Sequence, residues 1–210
     1  METHDFFIVG VGASAGGQQA LKEFFSTVPA ETDAAFVVVT HLFREHKSEL
    51  ASIISRFTKL NVVSIKNNTR ISPGNIYVMP EDVFVHLQGH VLKLVPRPND
   101  NLINNSINIF FESLAKEAGT KAIGVILSGM GSDGSDGALK IFMEGGDVLV
   151  QDPESTKFNS MPMATILKDH PDFILPPREL GNKVAEMVRS KSAKREARIY
   201  KHDDLRLNPS

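Results

Sequence analysis

Three short stretches of the chain carry side chains that could perform nucleophilic chemistry together. Ser14 lies in the small-residue run Gly12–Gly17, His41 follows Thr40, and Asp133 lies in a glycine-rich run near residue 130. A serine hydroxyl becomes a nucleophile when a histidine takes its proton. An aspartate can then hold the imidazole in the required tautomer and stabilise its cation. These residue types favour a serine hydrolase that works by acyl transfer.

The elements that must position these residues are predicted from apolar runs. Residues 6–9, 34–39 and 122–127 are wholly apolar or nearly so, and each ends at one of the three stretches. Helical patterns follow them, at 18–25 and up to about Met143, and this alternation predicts a parallel sheet covered by helices on both faces. Right-handed crossovers place all strand-to-helix loops at one edge of such a sheet. The serine, histidine and aspartate should therefore meet there, with free N–H groups of the first helix beside Ser14.

Two other interpretations of the same residues stay open. Gly10, Gly12 and Gly16 have the spacing of a dinucleotide-binding turn, but that motif expects an acidic residue at the end of the second strand. The sequence has Thr40-His41 there, which disfavours nucleotide binding. Asp133, taken alone, is also typical of a turn or helix N-cap residue, because aspartate suits the start of a helix.

The remaining patterns complete an α/β domain. Strand pairs at 83–87 and 91–95 predict a hairpin, and helices are predicted at 45–57, at 107–118 with Gly119 as the end cap, and at 179–189. Beyond Ser190 the pattern gives way to charged residues. We therefore predict one catalytic domain over 1–190 and a charged tail or linker over 191–210.

Composition excludes several classes of protein. The chain has 210 residues, a formal net charge of −2 and no cysteine. Disulfide frameworks, thiolate chemistry and cysteine metal sites are excluded, and neither nucleic acid nor a charged membrane surface is favoured as a partner. The histidines show no metal-ligand spacing with nearby carboxylates. A polar start and the lack of a membrane-spanning apolar run predict a cytoplasmic protein without membrane insertion.

With these loops located, residues 6–175 resemble the catalytic domain of CheB-type chemotaxis protein-glutamate methylesterases. The resemblance rests on the order and spacing of five short motifs. They are Gly12-Ala13-Ser14-Ala15-Gly16-Gly17, Thr40-His41-Leu42, Ser72-Pro73-Gly74-Asn75-Ile76-Tyr77, Gly129-Met130-Gly131-Ser132-Asp133-Gly134 and Met161-Pro162.

The resemblance implies a fold, an activity and a set of site residues. The fold is a doubly wound, mostly parallel, Rossmann-like three-layer α/β domain. The activity is hydrolysis of glutamyl γ-methyl esters on the cytoplasmic helices of methylated chemoreceptors, with release of methanol and, in some members, deamidation of receptor glutamines. Ser14 would be the nucleophile, His41 the base and then the acid, and Asp133 the orienting carboxylate. Backbone N–H groups of His41 and Met130 would form the oxyanion hole, and no metal or organic cofactor is implied.

Departures from the family pattern bear on substrate and regulation. Ala15 replaces the usual threonine, Thr40 and Leu42 replace the usual glutamine and methionine, and 103–106 replaces a common Arg-Pro-Ser segment of the cleft rim. We expect this chain to lack the family's usual phospho-receiver domain and so not to be regulated through it. The segment 151–158 is most similar to versions fused to a receptor methyltransferase, so we expect such a domain, fused or separate, as a partner. The alternative function is a non-catalytic receptor-docking module.

Overall fold

The chain forms a wholly parallel seven-stranded sheet with helices on both faces and a small antiparallel sheet beside it. The computed structural model describes residues 5–40, 49–98, 105–168 and 171–207, the last fourteen without their side chains. The order of the large sheet is β10-β9-β8-β1-β2-β5-β3, and that of the small sheet is β4-β7-β6. The strands of the large sheet are β1 (Phe7–Ala13), β2 (Ala34–Thr40), β3 (Asn61–Ser64), β5 (Asn75–Val78), β8 (Ala122–Ile126), β9 (Asp147–Gln151) and β10 (Phe173–Leu175), and those of the small sheet are β4 (Thr69–Arg70), β6 (Val83–Gln88) and β7 (Val91–Pro96).

Helices cover both faces of the large sheet because alternate strand residues point to opposite sides. The helices are α1 (Gly17–Phe25), α2 (Leu50–Ser55), α3 (Ser106–Ala118), α4 (Ser135–Met143), α5 (Ser160–Lys168) and α6 (Pro177–Leu207). One core lies under α1, α2 and α6, and the other lies under α3, α4, α5 and the small sheet. The doubly wound α/β fold and the hairpin are confirmed.

Strand β1 is longer than the apolar run 6–9 predicted, because its glycines belong to the strand. A Cβ on Gly10 would lie 2.8 Å from Cε1 of Phe111, and one on Gly12 would lie 2.6 Å from Cγ2 of Ile107. Both contacted side chains belong to α3. The glycines therefore let α3 pack directly on the central strand, and they do not form a nucleotide-binding turn.

Two helix predictions differ from the structure. Helix α2 begins at Leu50, and residues 45–48 of the predicted helix 45–57 lie outside the described residues. Helix α6 does not end at Arg189 but continues to Leu207. It crosses residue 190 without interruption, and the division into a domain over 1–190 and a tail over 191–210 stays a prediction.

Candidate active site

Ser14 lies at the carboxyl end of the central strand, in a turn whose backbone is fastened on both sides. Its N–H donates to the carbonyl oxygen of Ser128 at 2.9 Å, and its carbonyl oxygen accepts from Gly17 N–H at 2.9 Å. Just before this turn, between the ends of β1 and β8, the N–H of Leu127 donates to the carbonyl oxygen of Gly12 at 2.9 Å. The pairing of β1 with β8 thus continues past the strand ends and holds the half-buried Ser14 at the sheet edge.

Helix α1 begins directly after this turn. Its N-cap residue is Gly16, which has a left-handed φ of 71° and contributes no side-chain cap. Among the described residues, none accepts a hydrogen bond from the backbone N–H groups of Ala15 or Gly16. Since a helix N-terminus presents unsatisfied N–H groups and a partial positive charge, negative charge developing beside Ser14 is stabilised there.

Asp133 is buried, with 6% of its surface exposed, and caps a helix other than its own. Its Oδ2 accepts from Ile107 N–H and its Oδ1 accepts from Asn108 N–H, both at 2.9 Å. These donors belong to the first turn of α3. Asp133 thus lies in a turn and caps a helix, as its residue type alone suggested, but the helix is α3 and the N-cap residue of α4 is Gly134.

The side chain of Asn108 makes the reverse connection. Its Oδ1 accepts from the N–H groups of Gly134 and Gly137, both at 2.9 Å, at the start of α4. Each of the two helices is capped by a side chain from the other segment. This reciprocal cap fixes both carboxylate oxygens of Asp133.

Contacts on each side of Ile107 connect the Asp133 loop with the end of β1. Cγ2 of Ile107 lies 2.6 Å from the position of a Cβ on Gly12 and 2.8 Å from that of a Cβ on Gly134. At the start of the same loop, a Cβ on Gly129 would lie 3.0 Å from Cβ of Ser14. The loop that carries Asp133 is thus packed against the turn that carries Ser14.

His41 lies outside the described residues, so its predicted role is judged from what precedes it in the sequence. Thr40 ends β2 and pairs with Ala13, which is the last residue before Ser14. The strands that lead to His41 and to the Asp133 loop flank β1 on opposite sides.

Met130 lies in the same loop with 60% of its surface exposed. Within the described part of the chain, its backbone N–H has no acceptor. Its role in the oxyanion hole, like that of the His41 N–H, stays a prediction.

A buried group of polar side chains behind the turn was not predicted as part of the site. Ser128 is fully buried and Gln151 is 2% exposed. The N–H of Ser128 donates to Gln151, and the hydroxyl of Ser128 donates to the turn. The only local signal is the position of Ser128 directly after an apolar strand. Its partners lie far away in the sequence, so no periodicity could have indicated them.

The described surface also has a groove of about 580 Å³ that is distant from Ser14. Loop residues 29–33 line one side of it, and α6 lines the other. Because this loop precedes β2, the groove lies at the amino edge of the sheet. We do not assign it to the site.

Comparison with known proteins identifies the family. The family model described as CheB methylesterase matches residues 9–184. The chain belongs to the CheB methylesterase family.

Similar proteins agree with this membership. The protein-glutamate methylesterase/protein-glutamine glutaminase 2 of Methanospirillum hungatei is 30% identical over 193 residues, which are 91% of this chain and 54% of that protein. The corresponding protein of Thermotoga maritima is 29% identical over 185 residues, 86% of this chain and 54% of that protein. The crystal structure of the Thermotoga maritima CheB methylesterase catalytic domain matches with a TM-score of 0.79 at 28% identity, covering 88% of this chain and all of that one.

The chain spans about half the length of the curated relatives it matches. None of the helices in the described residues is both long and apolar enough to span a membrane.

Proposed function

We propose that this chain hydrolyses γ-methyl esters of glutamates on chemoreceptor helices, using Ser14, His41 and Asp133. The observation that carries the proposal is the placement of Ser14 directly after central strand β1, which lies between β2 and β8. The residue after β2 is His41, and the loop after β8 contains Asp133. Family membership and the similarity to a CheB methylesterase catalytic domain support the same activity.

The proposed reaction proceeds in two acyl transfers. Oγ of Ser14 attacks the ester carbonyl carbon while His41 accepts the hydroxyl proton. The tetrahedral oxyanion is stabilised by the N–H groups of His41 and Met130. The carbon–oxygen bond to the methoxy group then breaks, His41 gives its proton to that group, and methanol leaves.

Hydrolysis of the acyl-enzyme regenerates the serine. Water attacks the glutamyl ester of Ser14 and gives a proton to His41, which returns it to the Ser14 oxygen as glutamate is released. Asp133 holds the imidazole throughout. Its two oxygens are themselves fixed by N–H groups of α3, so the carboxylate cannot rotate freely.

The same chemistry would convert a receptor glutamine to glutamate with release of ammonia. The names of the relatives include protein-glutamine glutaminase, and only the leaving group differs. We propose this as a second reaction of the same serine. Measurement of ammonia with glutamine-containing receptor tests it, and a wild type that releases methanol but no ammonia would contradict it.

The proposed substrate sets the location and partners. Receptor helices that carry methyl esters are cytoplasmic, so we propose that the chain acts there. A receptor methyltransferase, fused or separate, would supply the ester that this activity removes.

A methanol-release assay tests the main proposal. Ser14→Ala should lower the rate by about 10⁴-fold or more while the fold persists, because the nucleophile is lost. The control is Ser26→Ala, which removes a hydroxyl at the opposite end of α1 that donates to the Glu23 carbonyl. Equal rates in Ser14→Ala and wild type would exclude Ser14 as nucleophile, and receptor binding by a wild type that releases no methanol would favour the docking module.

A further inference from the structure

Ser128 is bonded to the nucleophile turn through both its backbone and its side chain. Its carbonyl oxygen accepts from Ser14 N–H at 2.9 Å, and its Oγ donates to the carbonyl of Ala15 at 2.7 Å. Its own N–H donates to Oε1 of Gln151 at 2.8 Å. This one fully buried residue therefore holds the two peptide units that flank the Ser14–Ala15 peptide bond.

The hydroxyls behind the turn form a hydrogen-bonded chain. Ser128 has one hydroxyl proton, and the carbonyl oxygens of Ala15 at 2.7 Å and Phe158 at 3.4 Å can accept it. When the proton goes to the nearer Ala15, the Thr156 hydroxyl is the donor in its 2.8 Å contact with Ser128. Oγ1 of Thr156 in turn accepts from Phe158 N–H at 3.0 Å. Every hydroxyl in the chain then donates one bond and accepts one.

A second branch anchors Ser128 from its backbone side. Nε2 of Gln151 donates to Oγ of Ser155 at 3.0 Å, so both ends of this buried amide are bonded. The carbonyl of Phe158 accepts from Gly129 N–H at 2.9 Å. Ser128 and Gln151 are the buried members of this network, so an alternative arrangement of their bonds would leave a buried polar group unpaired.

We propose that Ser128 is a positioning residue for the hydrolysis, acting through a hydroxyl that holds the Ser14–Ala15 backbone in its reactive geometry. This inference rests on the proposed function. The residue does not touch the substrate. Reactive groups must be placed to within about 0.5 Å, so freeing the Ala15 carbonyl should slow acylation without weakening substrate binding.

The test compares Ser128→Ala with Ser113→Ala. The Ser113 hydroxyl also donates to a backbone carbonyl, that of Phe110 at 2.7 Å, and accepts from a backbone N–H, that of Leu87 at 3.0 Å. Ser113 lies in the middle of α3. Each variant loses one bond donated to a backbone carbonyl and one accepted bond, which comes from a backbone N–H at Ser113 and from a hydroxyl at Ser128. Measurements are kcat and KM for methanol release, the free energy of unfolding, and amide hydrogen exchange over residues 14–17.

We expect Ser128→Ala to lower kcat by about 10- to 100-fold, with KM within about twofold of wild type. Amide exchange over 14–17 should accelerate. Ser113→Ala should lose similar stability but change neither kcat nor exchange in this turn.

Variants at Thr156 keep the inference testable if Ser128→Ala does not fold. Thr156→Val removes the donor to Ser128 and should lower kcat in the same way, while Thr156→Ser retains the hydroxyl and should restore it. A kcat for Ser128→Ala or Thr156→Val equal to wild type would overturn the positioning role and leave the proposed function intact. A wild type without any methanol release would overturn both, and unchanged exchange over 14–17 would overturn the positioning role alone.

Discussion

At the scale of single residues, Gly16 meets two requirements at once. Its φ of 71° is one that residues with a Cβ rarely adopt. A Cβ there would also lie 2.7 Å from Oγ of Ser128 and 2.8 Å from Cδ2 of Phe158. The hydroxyl of Ser128 is held by the network behind the turn, so it cannot move away without breaking that network, whereas Phe158 is 41% exposed.

Gly16→Ala should therefore lower both stability and activity. The left-handed backbone alone costs about 1–2 kcal/mol of unfolding free energy, and the two close contacts add to this. Displacement of Ser128 should also lower kcat for methanol release. Urea unfolding and steady-state kinetics measure the two effects.

Gly131→Ala is the matched control. Gly131 has a φ of 83°, but nothing lies within 4 Å of the position its Cβ would take. It should lose only the backbone contribution. Equal losses of stability in the two variants would contradict the role given to the contacts around Gly16.

Asp133→Asn separates two roles of one side chain. An amide has one acceptor oxygen where the carboxylate has two, so either Ile107 N–H or Asn108 N–H loses its partner. The free energy of unfolding should fall by about 1–3 kcal/mol. The rate should fall by about 10²- to 10⁴-fold, because the imidazole loses its orienting anion.

Asp136→Asn is the comparison for this change. Asp136 is in the first turn of α4, pairs with Lys168 and is more than half exposed. Exposed pairs contribute about 1 kcal/mol or less. If Asp133→Asn were no less stable than Asp136→Asn, the capping of α3 would be contradicted, and an unchanged rate would contradict the triad.

At the scale of elements, the close packing of α3 on β1 depends on the lack of a side chain at Gly12. Gly12→Ala places a methyl group 2.6 Å from Cγ2 of Ile107, so the helix must shift. Overpacking of this kind costs about 1–3 kcal/mol. The double variant Gly12→Ala with Ile107→Ala should lose less stability than the two single changes added together, as measured by a double-mutant cycle. Simple additivity would show that the contact is not the cause.

The order and type of the helices and strands could be predicted because each element has a characteristic pattern within its own stretch of sequence. Wholly apolar runs indicated β2 and β8, spaced apolar residues indicated α1 and α3, and turn residues between two strands indicated the β6–β7 hairpin. The end of β1 could not be predicted in the same way. Its glycines are typical of a loop, and the reason they form strand is α3, about 100 residues later in the chain.

The residues of the candidate site could be predicted from the sequence, but the hydrogen bonds that hold them in place could not. Ser14 and Asp133 could be singled out because each follows an apolar strand in a glycine-rich run. That Asp133 caps α3, and that Ser128 bonds to Ala15, depends on contacts between residues 26 and 113 positions apart in the sequence. No local pattern carries such information.

At the scale of the whole molecule, α6 is held to the amino edge of the sheet by an ion pair between Lys191 and Asp147. Burial raises the pKa of Asp147 above its ordinary value of 3.8, and the nearby Asp172 charge adds to this. The hydrogen bond and the charge of Lys191 act in the opposite direction without cancelling it.

This shift predicts a dependence of stability on pH. The folded protein holds the Asp147 proton more tightly than the unfolded chain does. The contribution of this group to the free energy of unfolding therefore falls as pH rises from 3.8 through the raised pKa, and it stays low above that. Asp147→Asn removes this dependence. The unfolding free energy of wild type minus that of the variant should decline across this window, and a difference that is flat or rises with pH would contradict the shift.

The reciprocal cap between α3 and α4 makes their first turns a single cooperative unit. Asp133 cannot leave α3 without disturbing the glycines that Asn108 holds, and Asn108 cannot turn away without freeing donors of α4. The two helix ends should fray together, with similar opening free energies. A ligand that displaces or binds the Asp133 carboxylate should therefore change the opening of the first turns of both helices. Its binding would be detectable at backbone amides that it does not contact.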